Sequence, residues 1–198
     1  MKNIILITGG QRSGKSEKAE ELALQLSPNP VYVATAHIWD DEFRERIRRH
    51  QERRGPQWTN IEEELYLSRH DLTGRVAVID CVTLWLTNFI VGNALVGNAS
   101  ERCSSVGNAS ERYNSEKSAS ATLGSVAHYL AAAKAEFDAF TAHDATFIFV
   151  TNEIGLGGTS ENALQRRFTD LQGWMNQYIA ARADEVILMV SGIPVKIK

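Results

Sequence analysis

The segment Gly9-Gly10-Gln11-Arg12-Ser13-Gly14-Lys15-Ser16 fulfils the pattern G-x-x-x-x-G-K-[ST]. In such a loop backbone N–H groups face an anion. Lys15 reaches the outer phosphates of a nucleoside triphosphate or phosphate-bearing analogue, and the Ser16 hydroxyl ligates Mg2+. Asp80 closes the apolar run Val76-Ala77-Val78-Ile79, where phosphate-loop enzymes place the acid that holds Mg2+ directly or through water. Its competing reading is a cap for a helix over Val82 to Phe89.

A further candidate is His50, within Asp40 to Arg54. In this run acids come first and bases last, as a helix dipole favours, and Gly55-Pro56 ends it. Phe43, Ile47 and His50 fall at i, i+4 and i+7, so His50 faces the protein body with Arg46 one turn before it and Arg53 and Arg54 one turn after. Neighbouring guanidinium groups favour the neutral, nucleophilic imidazole and hold phosphate oxygens. Composition and spacing alone do not displace the commoner reading, a packed core histidine on an arginine-rich solvated helix. In Thr151-Asn152-Glu153-Ile154-Gly155-Leu156-Gly157-Gly158, Asn152 and Glu153 stand at the carboxyl end of a core strand, where an open α/β sheet meets substrate or metal. A turn relying on its glycines is the alternative.

Positioning these groups requires strands, and the apolar runs supply them. Ile4 to Ile7, Val31 to Thr35, Val76 to Asp80, Thr146 to Thr151 and Glu185 to Val190 are near-continuously apolar rather than alternating, as in strands covered on both faces. Helices are expected at Glu17 to Leu26, Ala121 to Phe140 and Glu161 to Arg182. The last is opened by a Thr159-Ser160 cap and carries Phe168, Leu171, Met175 and Ile179 at helical spacing. The fold expected is α/β: three layers of the P-loop NTPase kind, a mostly parallel sheet flanked by helices, with a short C-terminal strand near Val195.

A chain of 198 residues suits one nucleotide-binding domain spanning 1–198. Net charge −3 and pI near 6.0 provide no general field for nucleic acid, so a small polar partner is expected. Cys81 and Cys103 have no metal-cluster spacing, and no apolar run reaches membrane-span length, which points to a reducing, cytoplasmic setting. Residues 91–120 interrupt the pattern. Val-Gly-Asn-Ala-Ser-Glu-Arg occurs at 96–102 and again at 106–112, and a repeat so short and polar reads as a flexible duplicated insertion. Its Asn-Ala-Ser triplets match the glycosylation acceptor without a secretory signal beside them.

Taken together, Gly9 to Ser16, Ala34-Thr35, Arg46-Ile47-Arg48-Arg49-His50, Trp58 with Glu62, Asp80-Cys81-Val82-Thr83, Thr151-Asn152-Glu153-Ile154-Gly155-Leu156-Gly157 and Ser191-Gly192-Ile193-Pro194-Val195-Lys196-Ile197-Lys198 resemble the bifunctional adenosylcobinamide kinase/adenosylcobinamide-phosphate guanylyltransferase family of cobalamin biosynthesis. The resemblance covers nearly the whole chain. It implies phosphorylation of adenosylcobinamide by a nucleoside triphosphate, ATP or GTP, followed by transfer of GMP from GTP through a histidine. His50 matches the guanylylated histidine, and Lys15 acts with it in catalysis. Gly9, Gly10, Gln11, Arg12, Ser13, Gly14, Lys15, Ser16, Thr35, Ala36 and His37 would hold nucleotide, completed by Gln51, Glu52, Arg53, Arg54, Glu62 and Asp80, with Mg2+ on Ser16 and Asp80. It also implies a homotrimer. The chain departs from the family in its repeat segment, where relatives carry a shorter connection, and at His37, where some have another polar residue. A single-activity small-molecule kinase with a structural His50 and a nucleotide-dependent switch module are the other functions these residues allow.

Overall fold

The computed structural model describes residues 2–37, 48, 54–97 and 126–198, with 91–97 described by backbone alone. Its strands are β1 Asn3–Gly9, β2 Val31–Ala34, β3 Thr59–Glu62, β4 Val76–Asp80, β5 Thr146–Val150, β6 Glu185–Val190 and β7 Ile193–Lys196. Its helices are α1 Lys15–Leu26, α2 Val82–Gly97, α3 Val126–Phe140 and α4 Ala163–Arg182. The strands form one sheet in the order β3-β2-β4-β5-β1-β6-β7, parallel throughout except for the antiparallel β6–β7 hairpin. The expected α/β architecture with a short last strand is therefore present.

Continuous apolarity in the inner strands has a direct cause, since alternate residues of each feed two separate cores. Ile4, Leu6, Val31, Val33, Ala77, Ile79, Phe147 and Phe149 pack on one face with Trp85 and Leu86 of α2, Phe137 and Phe140 of α3, and Leu171, Met175 and Ile179 of α4. Ile5, Ile7, Tyr32, Val78, Ile148 and Val150 pack on the other with Trp58 and with Ala19 and Ala23 of α1. Small alanines bring α1 close to the sheet, so the loop preceding it is held at the strand ends.

Three elements differ from expectation. The helix expected to end at Phe89 runs on to Gly97, into the stretch read as an insertion; 98–125 lies outside the described residues. The helix expected from Glu161 starts at Ala163, and its cap is Asn162, whose Oδ1 accepts from Leu164 N and Gln165 N, rather than Thr159-Ser160. Strand β3 was not foreseen. Its sequence Thr-Asn-Ile-Glu is polar because an edge strand is only half covered. The helix expected over Asp40 to Arg54 lies outside the described residues apart from Arg48, which is helical and exposed, and Arg54.

Candidate nucleotide site

Parallel strands direct the phosphate loop, Thr35–His37, Glu62, Asp80 and Thr151–Glu153 to one rim of the sheet. The loop leaves β1 through Gly9 at φ +150° and enters α1 through Gly14 at φ +91°. A Cβ on Gly9 would lie 2.5 Å from Met189 O and 2.9 Å from Ser13 Oγ, so no larger residue fits. Lys15, almost fully buried, arches back over the loop to donate from Nζ to Gly10 O at 2.6 Å. Gly192 N donates to Ser13 O at 3.0 Å, fastening the β6–β7 turn against the loop from outside. Ser13 Oγ is buried with no hydrogen-bond partner, and Gly10, Gln11, Arg12 and Ser16 retain solvent access. An unsatisfied hydroxyl, a buried ammonium and a helix N-terminus form a cradle whose chemistry suits phosphate.

Asp80 ends β4, two strands from the loop, and its Oδ2 accepts from the Tyr32 hydroxyl at 2.8 Å. Burial, and next the Asp80 charge, raise the Tyr32 pKa well above its ordinary value. The other face of that ring carries the Arg54 guanidinium, 3.5 Å from its centroid, and Trp58 meets it edge-on. Arg54 also donates from Nε to Asn60 Oδ1 at 3.0 Å and pairs with Glu20 of α1 at 3.6 Å, with only 3% of its side chain exposed. Its side chain is thus an internal anchor. Cys81, beside Asp80, is buried, and burial pushes its thiol up to about 12, so it stays protonated and inert.

At the end of β2, Thr35 is fully buried, donating its hydroxyl to Cys81 O and accepting from Cys81 N, both at 2.8 Å. This hydroxyl joins β2 to the Asp80 turn rather than facing the rim. Ala36 follows half-buried, and His37 Nδ1 meets Glu64 Oε1 at 2.8 Å on the surface. Glu62 is exposed at the end of β3, in register with Ala34. Strand spacing sets β2 about 14 Å from β1, so Thr35–His37 and the phosphate loop mark two separate regions of one rim. His50, Gln51, Glu52 and Arg53 lie outside the described residues.

Sequence reasoning missed the buried polar network behind the loop. Gln172 and Asn176 of α4 are nearly inaccessible and one helical turn apart. Gln172 Nε2 donates to Thr151 Oγ1 and Asn176 Oδ1, both at 2.8 Å, and the Thr151 hydroxyl donates to Asn176 Oδ1 at 2.7 Å. Asn176 Nδ2 donates to Asn152 O and Glu153 Oε1, both at 3.1 Å. On the opposite side Asn152 Nδ2 donates to Thr83 Oγ1 at 3.1 Å. Two amides beside Leu171 and Met175 on the inward stripe were the signal available in the sequence.

The serine hydroxyl and the half-buried Asp80 carboxylate are hard oxygen donors on the phosphate side of the sheet, a donor set that fits Mg2+ completed by phosphate and water oxygens. A parallel sheet whose first strand opens into this cradle, with an acid two strands away, defines a phosphate-loop nucleotide-binding protein.

Comparison with known proteins specifies the family. Residues 5–197 match the cobinamide kinase / cobinamide phosphate guanyltransferase family, and the chain belongs to it. The bifunctional adenosylcobalamin biosynthesis protein CobU of Salmonella typhimurium is 37% identical over 200 residues, covering 98% of this chain and 99% of that protein. The protein of the same name from Escherichia coli is 34% identical over 199 residues, covering 98% and 99%. The bifunctional adenosylcobalamin biosynthesis protein CobP of Pseudomonas aeruginosa is 34% identical over 197 residues, covering 98% and 96%.

Proposed function

We propose that this chain carries out both reactions for which its family is named, phosphorylating adenosylcobinamide and then transferring GMP to the product. The observation that carries the reading is the phosphate cradle of Gly9 to Ser16, with Lys15 Nζ drawn over Gly10 O, in a chain aligned with bifunctional relatives along nearly its whole length. In the kinase step, Gly9, Gly10, Gln11, Arg12, Ser13 and Gly14 hold the triphosphate of ATP or GTP, and Lys15 draws off charge from the γ-phosphoryl group. The substrate hydroxyl oxygen bonds to γ-phosphorus while the bond to the β,γ-bridging oxygen breaks. Mg2+ held by Ser16 and Asp80 would neutralise phosphate charge.

In the second step a nitrogen of His50 attacks the α-phosphorus of GTP and pyrophosphate leaves. The phosphate oxygen of adenosylcobinamide phosphate then attacks the same phosphorus, the N–P bond breaks, and adenosylcobinamide-GDP is released. Splitting one displacement into two through a phosphoramidate lowers each barrier. Thr35, Ala36, His37, Gln51, Glu52, Arg53, Arg54 and Glu62 fall to the nucleotide in this half, with the Thr35 and Arg54 side chains acting as supports. The separation between β1 and β2 supports two placements of the nucleotide, one for each end of the triphosphate. We take the working form to be a cytoplasmic homotrimer.

Incubation with GTP labelled at the α-phosphate should leave an acid-labile adduct on the wild-type protein and none on His50→Ala. Retained kinase turnover with no adduct on the wild type would reduce the assignment to a single-activity kinase.

A further inference from the structure

Glu153 stands where the phosphate cradle meets the metal-side acid. Strand β5 separates β4, which ends in Asp80, from β1, which opens into the loop, so the chain leaving β5 emerges between them. Glu153 N donates to Gly9 O at 3.1 Å, one residue from the carbonyl that receives Lys15 Nζ. The Lys15 ammonium held there is the group that reaches the β- and γ-phosphates. The side chain is aimed by two donors converging on a single oxygen: Thr8 Oγ1 at 2.7 Å and Asn176 Nδ2 at 3.1 Å, both to Oε1. Asn176 is itself fixed by Gln172 and Thr151. A glutamine oxygen would satisfy the same two donors equally well, so these bonds explain the orientation but not the need for a carboxylate. Asp80 differs in placement and in company, its Oδ2 being occupied by the Tyr32 hydroxyl.

We propose that Glu153 is the proton acceptor of phosphoryl transfer and Asn176 its positioning residue, an assignment that rests on the kinase reading above. As the substrate hydroxyl oxygen bonds to γ-phosphorus, its proton passes to Glu153 Oε2. The bond from γ-phosphorus to the β,γ-bridging oxygen breaks, and its electron pair leaves with the nucleoside diphosphate.

Glu153→Gln keeps shape and both hydrogen bonds while removing the base. Kinase kcat should fall by about 10²- to 10³-fold with nucleotide KM changed less than about threefold, and the acid limb of the kcat profile against pH should disappear. Labelling by α-labelled GTP should persist. Asn176→Ser should lower kcat by a smaller factor at unchanged KM, and the double variant should be no slower than Glu153→Gln alone, because both act on one proton transfer. Glu153→Gln with kcat within about threefold of wild type overturns the assignment. So does joint loss of kinase turnover, α-labelling and nucleotide affinity, which would make Glu153 a nucleotide or metal ligand. A wild-type protein that takes the α-label yet never transfers a γ-phosphoryl group overturns the kinase reading and this assignment with it.

Discussion

The Tyr32 hydroxyl donates to Asp80 Oδ2 across 2.8 Å, joining an interior aromatic residue to the acid at the rim. Tyr32 and Val78 are in register on β2 and β4, so the ring lies diagonally beneath the carboxylate. Tyr32→Phe removes this donor from the carboxylate. It should cost about 1.5–3 kcal/mol, the range for hydrogen bonds to a charged group. The Mg2+ concentration giving half-maximal kinase rate should also change, read from a metal titration beside thermal melting.

Arg54 links the segment carrying His50 to α1 and to the Tyr32 ring. Arg54→Ala leaves Glu20 without this cation and uncovers the ring. We expect a loss of about 3 kcal/mol by denaturant unfolding, with Arg54→Lys recovering part of it. A double cycle with Glu20→Gln should give a coupling energy clearly above zero; additive losses would show that the 3.6 Å pair contributes nothing.

The two loop glycines separate conformational from ligand effects. Gly9→Ala places a methyl group 2.5 Å from Met189 O at φ +150°, and should destabilise the fold by on the order of 1–3 kcal/mol while abolishing triphosphate binding in calorimetry. A Cβ at Gly10 meets nothing within 4 Å, so Gly10→Ala should melt like wild type. Any affinity it loses then reports crowding of the phosphate itself.

Cys81 makes stability fall in alkali. Its folded pKa is raised by burial, from 9.0 to about 12, so the unfolded chain releases the proton first as pH rises. The contribution is whole below about pH 9 and is lost toward pH 12, by up to ~1.4 kcal/mol per pH unit within that window. Tyr32 shifts in the same direction, so the measurement is the difference in unfolding free energy between wild type and Cys81→Ala across pH 8 to 10.5. A difference that stays constant would contradict the burial. Thiol reagents at pH 8 should leave Cys81 unmodified until the protein is unfolded.

Asn162→Ala should cost about 1 kcal/mol, since it withdraws the acceptor for Leu164 N and Gln165 N. Thr159→Ala and Ser160→Ala should change the melting temperature less than this variant does.

What the sequence disclosed follows from how much of each element is buried. Strands covered on both faces, such as Val76 to Asp80 and Thr146 to Val150, announce themselves by unbroken apolarity, and the phosphate loop by Gly9 and Gly14, whose positive φ only glycine adopts freely. Edge strand β3 carries no such mark, because Thr59, Asn60 and Glu62 face water. Arg54 reads as a surface cation in a basic run, yet an interior aromatic ring and a carboxylate draw it inward. Gln172 and Asn176 read as the polar side of an amphipathic helix although they are buried, since periodicity ranks side chains by type and cannot register that their hydrogen-bonding partners lie in the chain leaving β5.

The first strand is central while its neighbours β5 and β6 come late in the chain, and the loop after it is fastened by Gly192 N to Ser13 O. During synthesis, Gly9 to Ser16 leave the ribosome more than 170 residues ahead of Gly192, which fastens them. Nascent chains arrested upstream of residue 185 should emerge unable to retain nucleotide, so competence for phosphate chemistry appears only once β6 and β7 have joined the sheet.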